Sequence, residues 1–480
     1  MTAMRFNDCS QAGYRAEYLS AEQCDRLHSY SLEILRRTGV RLFHPEAGAV
    51  VSEGNRVRIP ASLVEKAFTT VPRQVKLYNR HGRPAIFAEG YRCFYDTGSD
   101  CLHIVDHRTG MVRDPVLNDI IEGMTVCDAL SHIDFVMLMF VPVDVDPLVS
   151  DRYQMEAMLS STTKPIIFVT NEFSGAADAV EMAEIVAGGA ESLRQRPNIA
   201  CYINVTTGLR HNEEALQKLL FLSEKGLPGM CIPVVVGGTT GPVTQPGSVA
   251  LVYAGVLAGL VLSQLTREGA PYIFPGWGGA PIDMRTLTSP YCTPNWGSIA
   301  SSLAHFYRMP SFGLGGGSDS KVVDQQAAAE AAFTLLGETM GGPNIIHDPG
   351  YLESGLSGSL AQLVICNEIV GWIRSFLAPV VIDDETVPLD LIDELRPDGQ
   401  YMTTDHTLQH YREHWYPTVF DRGNHNQWVA KGGKTLGERA AEQVNKILAA
   451  HKIEPLPEET QKAIPAIVER AEVLVKQQSR

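Results

Sequence analysis

The sequence predicts an α/β fold, a (β/α)8 barrel of the TIM type, with an N-terminal extension and a C-terminal helical segment. Three observations carry this expectation. Eight short runs rich in β-branched and aromatic residues recur along the chain, and after the first they stand roughly 30 to 40 residues apart, room for a strand, a helix and two loops. Most runs are apolar without alternation, as parallel strands covered on both faces require. Most of the gaps carry apolar residues at helical spacing.

In chain order, residues 1–80 form the extension, with one helical pattern, AEQCDRLHSYSLEILRRTG (21–39), and some strand-like pieces. The barrel is expected over 81–396. Its strands are read at CFYD (93–96), DFVMLMFVP (134–142), PIIFVT (165–170), ACYINV (200–205), MCIPVVV (230–236), PYIFPG (271–276), SFGLGG (311–316) and NIIHD (344–348). EALQKLLFLSEKG (214–226) typifies the intervening helices, with Gly226 as its stop. Residues 397–480 are polar and helical, and are expected to pack on the barrel or on another subunit. The rival fold, a doubly wound open sheet, would place a glycine fingerprint after its first strand. This chain has YDTGSDCLH there.

The 480 residues carry a formal net charge of −15, which argues against nucleic acid as a partner and suits a cationic small molecule. Nine cysteines without a Cys-x-x-Cys pair fit reduced thiols in the cytoplasm. The start, MTAMRFNDCSQAGYRAEYLS, has no apolar run of the signal-peptide kind. The uncharged VALVYAGVLAGLVL (249–262) falls short of the roughly 20 residues that span a bilayer and suits a tightly packed internal helix.

GLGGGSDSK (313–321) resembles a phosphate cradle but fails both tests. A P-loop needs Gly-Lys followed by Ser or Thr, whereas Lys321 lies between Ser320 and Val322. The dinucleotide fingerprint needs glycine where Ser318 stands. Following a barrel strand, Gly315, Gly316 and Gly317 are expected to shape a pocket wall, with Ser318 capping the next helix.

Several long segments carry a resemblance. GGTTGPVTQPGSVALVYAGVLAGLVLSQL (237–265), IDMRT (282–286), GGGSDSKVVDQQAAAEAA (315–332), IIHDPGYLESGLSGSLAQLVICNEIVG (345–371) and TTDHTLQHYREHWYPTVFDR (403–422) resemble the trimethylamine methyltransferase family. The resemblance implies a barrel that moves a methyl group from an amine to the Co(I) of a separate corrinoid protein. It implies no tightly bound cofactor and no metal; the partner brings the cobalamin. The family's trimethylamine enzyme carries pyrrolysine, whereas this chain has standard residues throughout. It therefore resembles the branch that demethylates quaternary amines, and glycine betaine is the expected donor. A homo-oligomer is expected.

Barrel sites gather at the C-terminal ends of strands, and quaternary ammonium groups are held by aromatic faces and carboxylates. The substrate-binding candidates at those ends are Tyr95, Phe274, Trp277, Tyr351 and Glu353, with Asp319 balancing the charge. His347 and Asn204 are the expected donors to a betaine carboxylate. DHTLQHYREHW (405–415) sets His406, His410 and His414 at i, i+4 and i+8, a zinc-like spacing that lies outside the barrel repeats. A barrel hydrolase using Asp319 and Glu353 and a non-catalytic betaine-binding protein are the alternative readings.

Overall fold

The computed structural model describes residues 15–43, 55–276, 279–286, 288, 290–291 and 296–478. Its centre is a closed ring of eight parallel staves. Seven are strands: Phe94–Tyr95, Ile166–Phe168, Ile199–Val205, Gly229–Pro233, Phe274–Pro275, Ser311–Leu314 and Ile345–His347. The remaining stave, residues 134–138, joins through the Val136–Ile166 bridge and the Asp134 N–H, which donates to the Tyr95 carbonyl at 2.7 Å. The Ile345–His347 strand pairs in parallel with both Ser311–Leu314 and Phe94–Tyr95, which shuts the ring. All eight staves fall on the runs read from the sequence.

The staves are apolar on both sides because each side meets a different layer. Phe135, Met137, Ile167, Ala200, Met230, Ile232, Ile273, Phe312 and Ile345 fill the lumen as one cluster. Val136, Leu138, Phe168, Ile203, Cys231, Phe274 and Ile346 belong to a second cluster shared with the surrounding helices.

An antiparallel hairpin, Val75–Tyr78 with Pro84–Ala88, supplies Val75, Leu77, Ile86 and Ala88 to the lumen cluster. Its Tyr78 N–H donates to Pro197 and the Arg80 N–H to Thr163, both just before the start of a stave. The hairpin therefore plugs the N-terminal end of the barrel. The division drawn at residue 80 passes through this hairpin's turn.

The helix Gln245–Thr266 is the one helix among the described residues long and apolar enough to cross a bilayer, and 83% of its apolar window is buried inside the protein. It packs against the helices Ala21–Arg37, Ala61–Thr70 and Glu213–Lys225, so it has protein neighbours on several sides. The chain's last helices wrap the barrel. Leu436–Ala450 lies on Leu360–Phe376 and Leu117–Ala129, and Glu458–Gln478 lies on Phe173–Ala187 and Ser150–Ser161. Buried Glu368 fastens the preceding segment, accepting from the backbone N–H of Thr418 (2.6 Å), Val419 (2.8 Å) and Phe420 (3.1 Å).

Candidate active site at the open end of the barrel

Side-chain alternation along each stave decides which residues face the lumen. On Ile345–His347, Ile345 faces inward, so His347 does too, one step nearer the mouth. On Ile199–Val205, Ala200 faces inward and is followed on the same side by half-buried Tyr202 and exposed Asn204. The His347 ring lies 4.3 Å from that of Phe312 and 6.3 Å from that of Tyr202, meeting the tyrosine edge-on. His347 is only 7% exposed and its Nε2 has no hydrogen-bond partner among the described residues. Its Nδ1 lies against the Asp348 carboxylate.

Asp348 leads to the rest of the cluster. Its Oδ2 accepts from the Tyr291 hydroxyl at 2.7 Å. Asp319 accepts from the Tyr291 N–H at 3.0 Å and the Ser354 hydroxyl at 2.8 Å. Tyr351 donates its hydroxyl to the Ser99 carbonyl, and the Ser99 hydroxyl donates to Asp100 at 2.9 Å. Asp100 keeps accessible surface, yet protein surrounds it closely enough that burial pushes its carboxyl above the usual range, with His347 and Ser99 opposing. An accessible side chain so closely surrounded by protein marks a concave recess at the barrel mouth. Burial and the charges of Asp100 and Asp348 likewise push the Tyr202 hydroxyl up.

The glycine loop forms one wall of the recess. The Gly315 N–H donates to the His347 carbonyl at 2.8 Å, and the Gly316 N–H donates to Thr334 at 3.0 Å. Gly316 has φ +99°, and a Cβ there would stand 2.9 Å from Pro349 Cα. A Cβ on Gly317 would stand 2.3 Å from the Tyr291 ring. Ser318 does not cap the next helix. Asp324 does, accepting from the Ala327 N–H at 2.9 Å, while the Ser318 hydroxyl donates to Glu330 at 2.7 Å. Five residues separate Ser318 from that cap, and the loop uses this stretch to stitch itself to the neighbouring one: Ser318 N–H to Tyr351 O, Ser354 N–H to Ser318 O and Glu353 N–H to Ser320 O.

Of the candidates read from the sequence, Asn204, Asp319, His347, Tyr351 and Glu353 lie at this end, on stave ends or in the loops beyond them. Glu353 accepts from Ser357 at 2.7 Å in its own loop. Tyr95 and Phe274 fall on the outward parity. Tyr95 is fully buried, its hydroxyl 2.8 Å from Thr339 Oγ1 and its ring under the Arg374 guanidinium at 5.1 Å. Phe274 packs among Phe68, Tyr253, Tyr272 and Tyr307. Trp277 lies outside the described residues.

Tyr202, Asp100, Tyr291 and Asp348 were not singled out in the sequence. Parity with Ala200 would have found Tyr202. Nothing local marks Tyr291, which reaches the recess from far along a loop. The histidine row dissolves as well: the helix Asp405–His410 ends before His414, and His410 pairs with Glu413 at 2.9 Å. No group of three or more His, Cys, Asp or Glu among the described residues could hold a metal ion.

Comparison with known proteins gives the family. The family model described as trimethylamine methyltransferase (MTTB) matches residues 4–474. The chain belongs to the trimethylamine methyltransferase family. It is 30% identical over 471 residues to a trimethylamine methyltransferase of Desulfitobacterium hafniense, covering 96% of this chain and 95% of that one. It is 28% identical over 452 residues to a glycine betaine methyltransferase of the same species, covering 90% and 92%. The monomethylamine methyltransferase of Methanosarcina barkeri, a solved structure, shares the fold at TM-score 0.51 and 12% identity, over 90% of this chain and 87% of that one. As a member of the family, the chain is a methyltransferase, and its barrel is the family's scaffold.

Proposed function

We propose that the chain takes a methyl group from a quaternary amine held in the recess and delivers it to the Co(I) of a separate corrinoid protein docked over the barrel mouth. The observation that carries this reading is the recess itself. An aromatic ring, Tyr202, and the carboxylates Asp100, Asp319 and Asp348 gather at the open end of the barrel, and this combination suits a cation that has no N–H to donate.

A quaternary nitrogen is already positive, so the amine leaves neutral and needs no activating group. The chain's contribution is to position the methyl carbon and hold the ammonium away from bulk water. The corrinoid, when docked, supplies the electron pair that attacks the methyl carbon, while the C–N pair departs with the amine.

A second feature supports a macromolecular acceptor. Exposed apolar side chains stand on the loops that follow the staves: Leu102, Val143, Val243, Met284, Val322 and Leu356. Such a rim suits a protein partner.

The test mixes the purified chain with Co(I) corrinoid protein and a panel of methylated amines, with glycine betaine as the reference donor. Loss of the Co(I) absorption with a quaternary amine, and none with trimethylamine, is the expected outcome. Transfer from trimethylamine alone defeats the reading.

A further inference from the structure

The charges of the recess bear on which quaternary amine enters it. We propose that the methyl donor is a monocation whose remaining substituent is uncharged, a tetraalkylammonium or a choline-type alcohol, rather than a zwitterionic betaine. This rests on reading the barrel mouth as a quaternary-amine site.

A betaine brings a carboxylate a few bonds from its ammonium, and that carboxylate needs a cation or free donors. Only His347, among the groups acting electrostatically on Asp100 and Tyr202, can be positive; the others are Asp348 and Asp100. The His347 imidazole already faces Asp348. Two hydroxyls that could serve a carboxylate are committed, Tyr291 to Asp348 and Tyr351 to the Ser99 carbonyl. Lys321, the lysine of the glycine loop, is exposed and donates to the Asp319 carbonyl at 2.8 Å. Arg285 is 88% exposed and paired with Asp283 at 2.6 Å. The residues of 277–295 outside the described set (Trp277, Gly278, Leu287, Ser289 and 292–295) include no Lys or Arg.

The recess thus offers an ammonium group several negative or aromatic neighbours, whereas a carboxylate would meet Asp100, Asp319 and Asp348 and, in its favour, the Asn204 amide and the His347 Nε2, which has no partner among the described residues. In a concave, partly desolvated site repulsion between carboxylates is screened less than in water.

Titration calorimetry on the full chain with tetramethylammonium, choline and glycine betaine tests the idea, alongside Co(I) demethylation of the same three compounds. One of the two monocations should bind at least tenfold tighter than betaine. Asp100→Asn is the second arm. Asn tolerates the left-handed backbone of this position, φ +74°, and its amide oxygen can still accept from the Ser99 hydroxyl. The variant should bind monocations less tightly and betaine no less tightly, narrowing the ratio severalfold. Betaine binding as tightly as either monocation, or a ratio unmoved by Asp100→Asn, overturns this inference while leaving quaternary-amine transfer standing. If none of the three binds or donates a methyl group, the proposed function falls and this inference with it.

Discussion

Glu338 offers a test of the wall behind the recess. It sits on the helix Gln325–Gly341, 8% exposed, its Oε2 without a hydrogen-bond partner among the described residues. The carboxyl lies against the Ser311–Leu314 stave, where a Cβ on Gly313 would meet Oε2 at 2.7 Å. Burial, with a smaller push from the Asp348 charge, raises its pKa from 4.5 to about 8. The folded protein therefore keeps this proton at pH 7, whereas the unfolded chain loses it near 4.5. Between those values the native state binds more protons than the unfolded state, so stability falls as pH rises and levels off above about 8. Each pH unit in that window removes about 1.4 kcal/mol, or up to roughly 5 kcal/mol in all. Glu338→Gln mimics the protonated form and does not titrate. Unfolding in denaturant at pH 5, 7 and 9 should show variant and wild type nearly equal at pH 5. The variant should then gain steadily, by several kcal/mol at pH 9. Parallel stability curves across that range would refute the reasoning, since the carboxyl would then be ionised or solvated in the native state.

Three further outcomes follow from the geometry. Tyr202→Ala should weaken quaternary-ammonium binding by roughly 0.5–2 kcal/mol, whereas Tyr95→Phe should cost only about 1 kcal/mol of stability through its lost bond to Thr339; calorimetry showing the reverse pattern would exchange their roles. Gly316→Val forces a side chain onto a left-handed backbone against Pro349, adding about 1–3 kcal/mol of strain, so methyl transfer should drop at least tenfold in a protein whose far-UV circular dichroism is unchanged; full activity would make the loop a mere turn. Glu368→Gln turns an amide toward backbone N–H groups at Thr418, Val419 and Phe420, and limited proteolysis should then cut near residue 418 much faster than in the wild type, a difference whose absence would mean the carboxylate does not hold the wrap.

The barrel was legible because its signals are local. A stave such as PIIFVT and a helix such as EALQKLLFLSEKG each declare themselves within a dozen residues, and their repetition does the rest. The candidate recess was legible only where residue type and inward parity coincided, as at His347 and Asn204. Tyr95 and Phe274 are aromatic and end their strands, but the outward parity places them in the helix layer. In a strand apolar on both faces, composition does not reveal parity. Asp348 and Tyr291 meet across 57 positions of sequence, a contact that only the closed ring creates. The hairpin at residues 75–88 reads as an isolated extension until the barrel exists for it to plug.

That plug has a kinetic consequence. With Val75, Leu77, Ile86 and Ala88 stopping the lower end and the apolar cluster filling the lumen above them, the recess has its opening at the barrel mouth, like a cup with one neck. A corrinoid protein seated on the rim would cork that neck, so the amine has to load first and the demethylated product has to wait for the acceptor to leave. Turnover would then follow a compulsory order, in which excess acceptor inhibits by arriving early and excess amine does not.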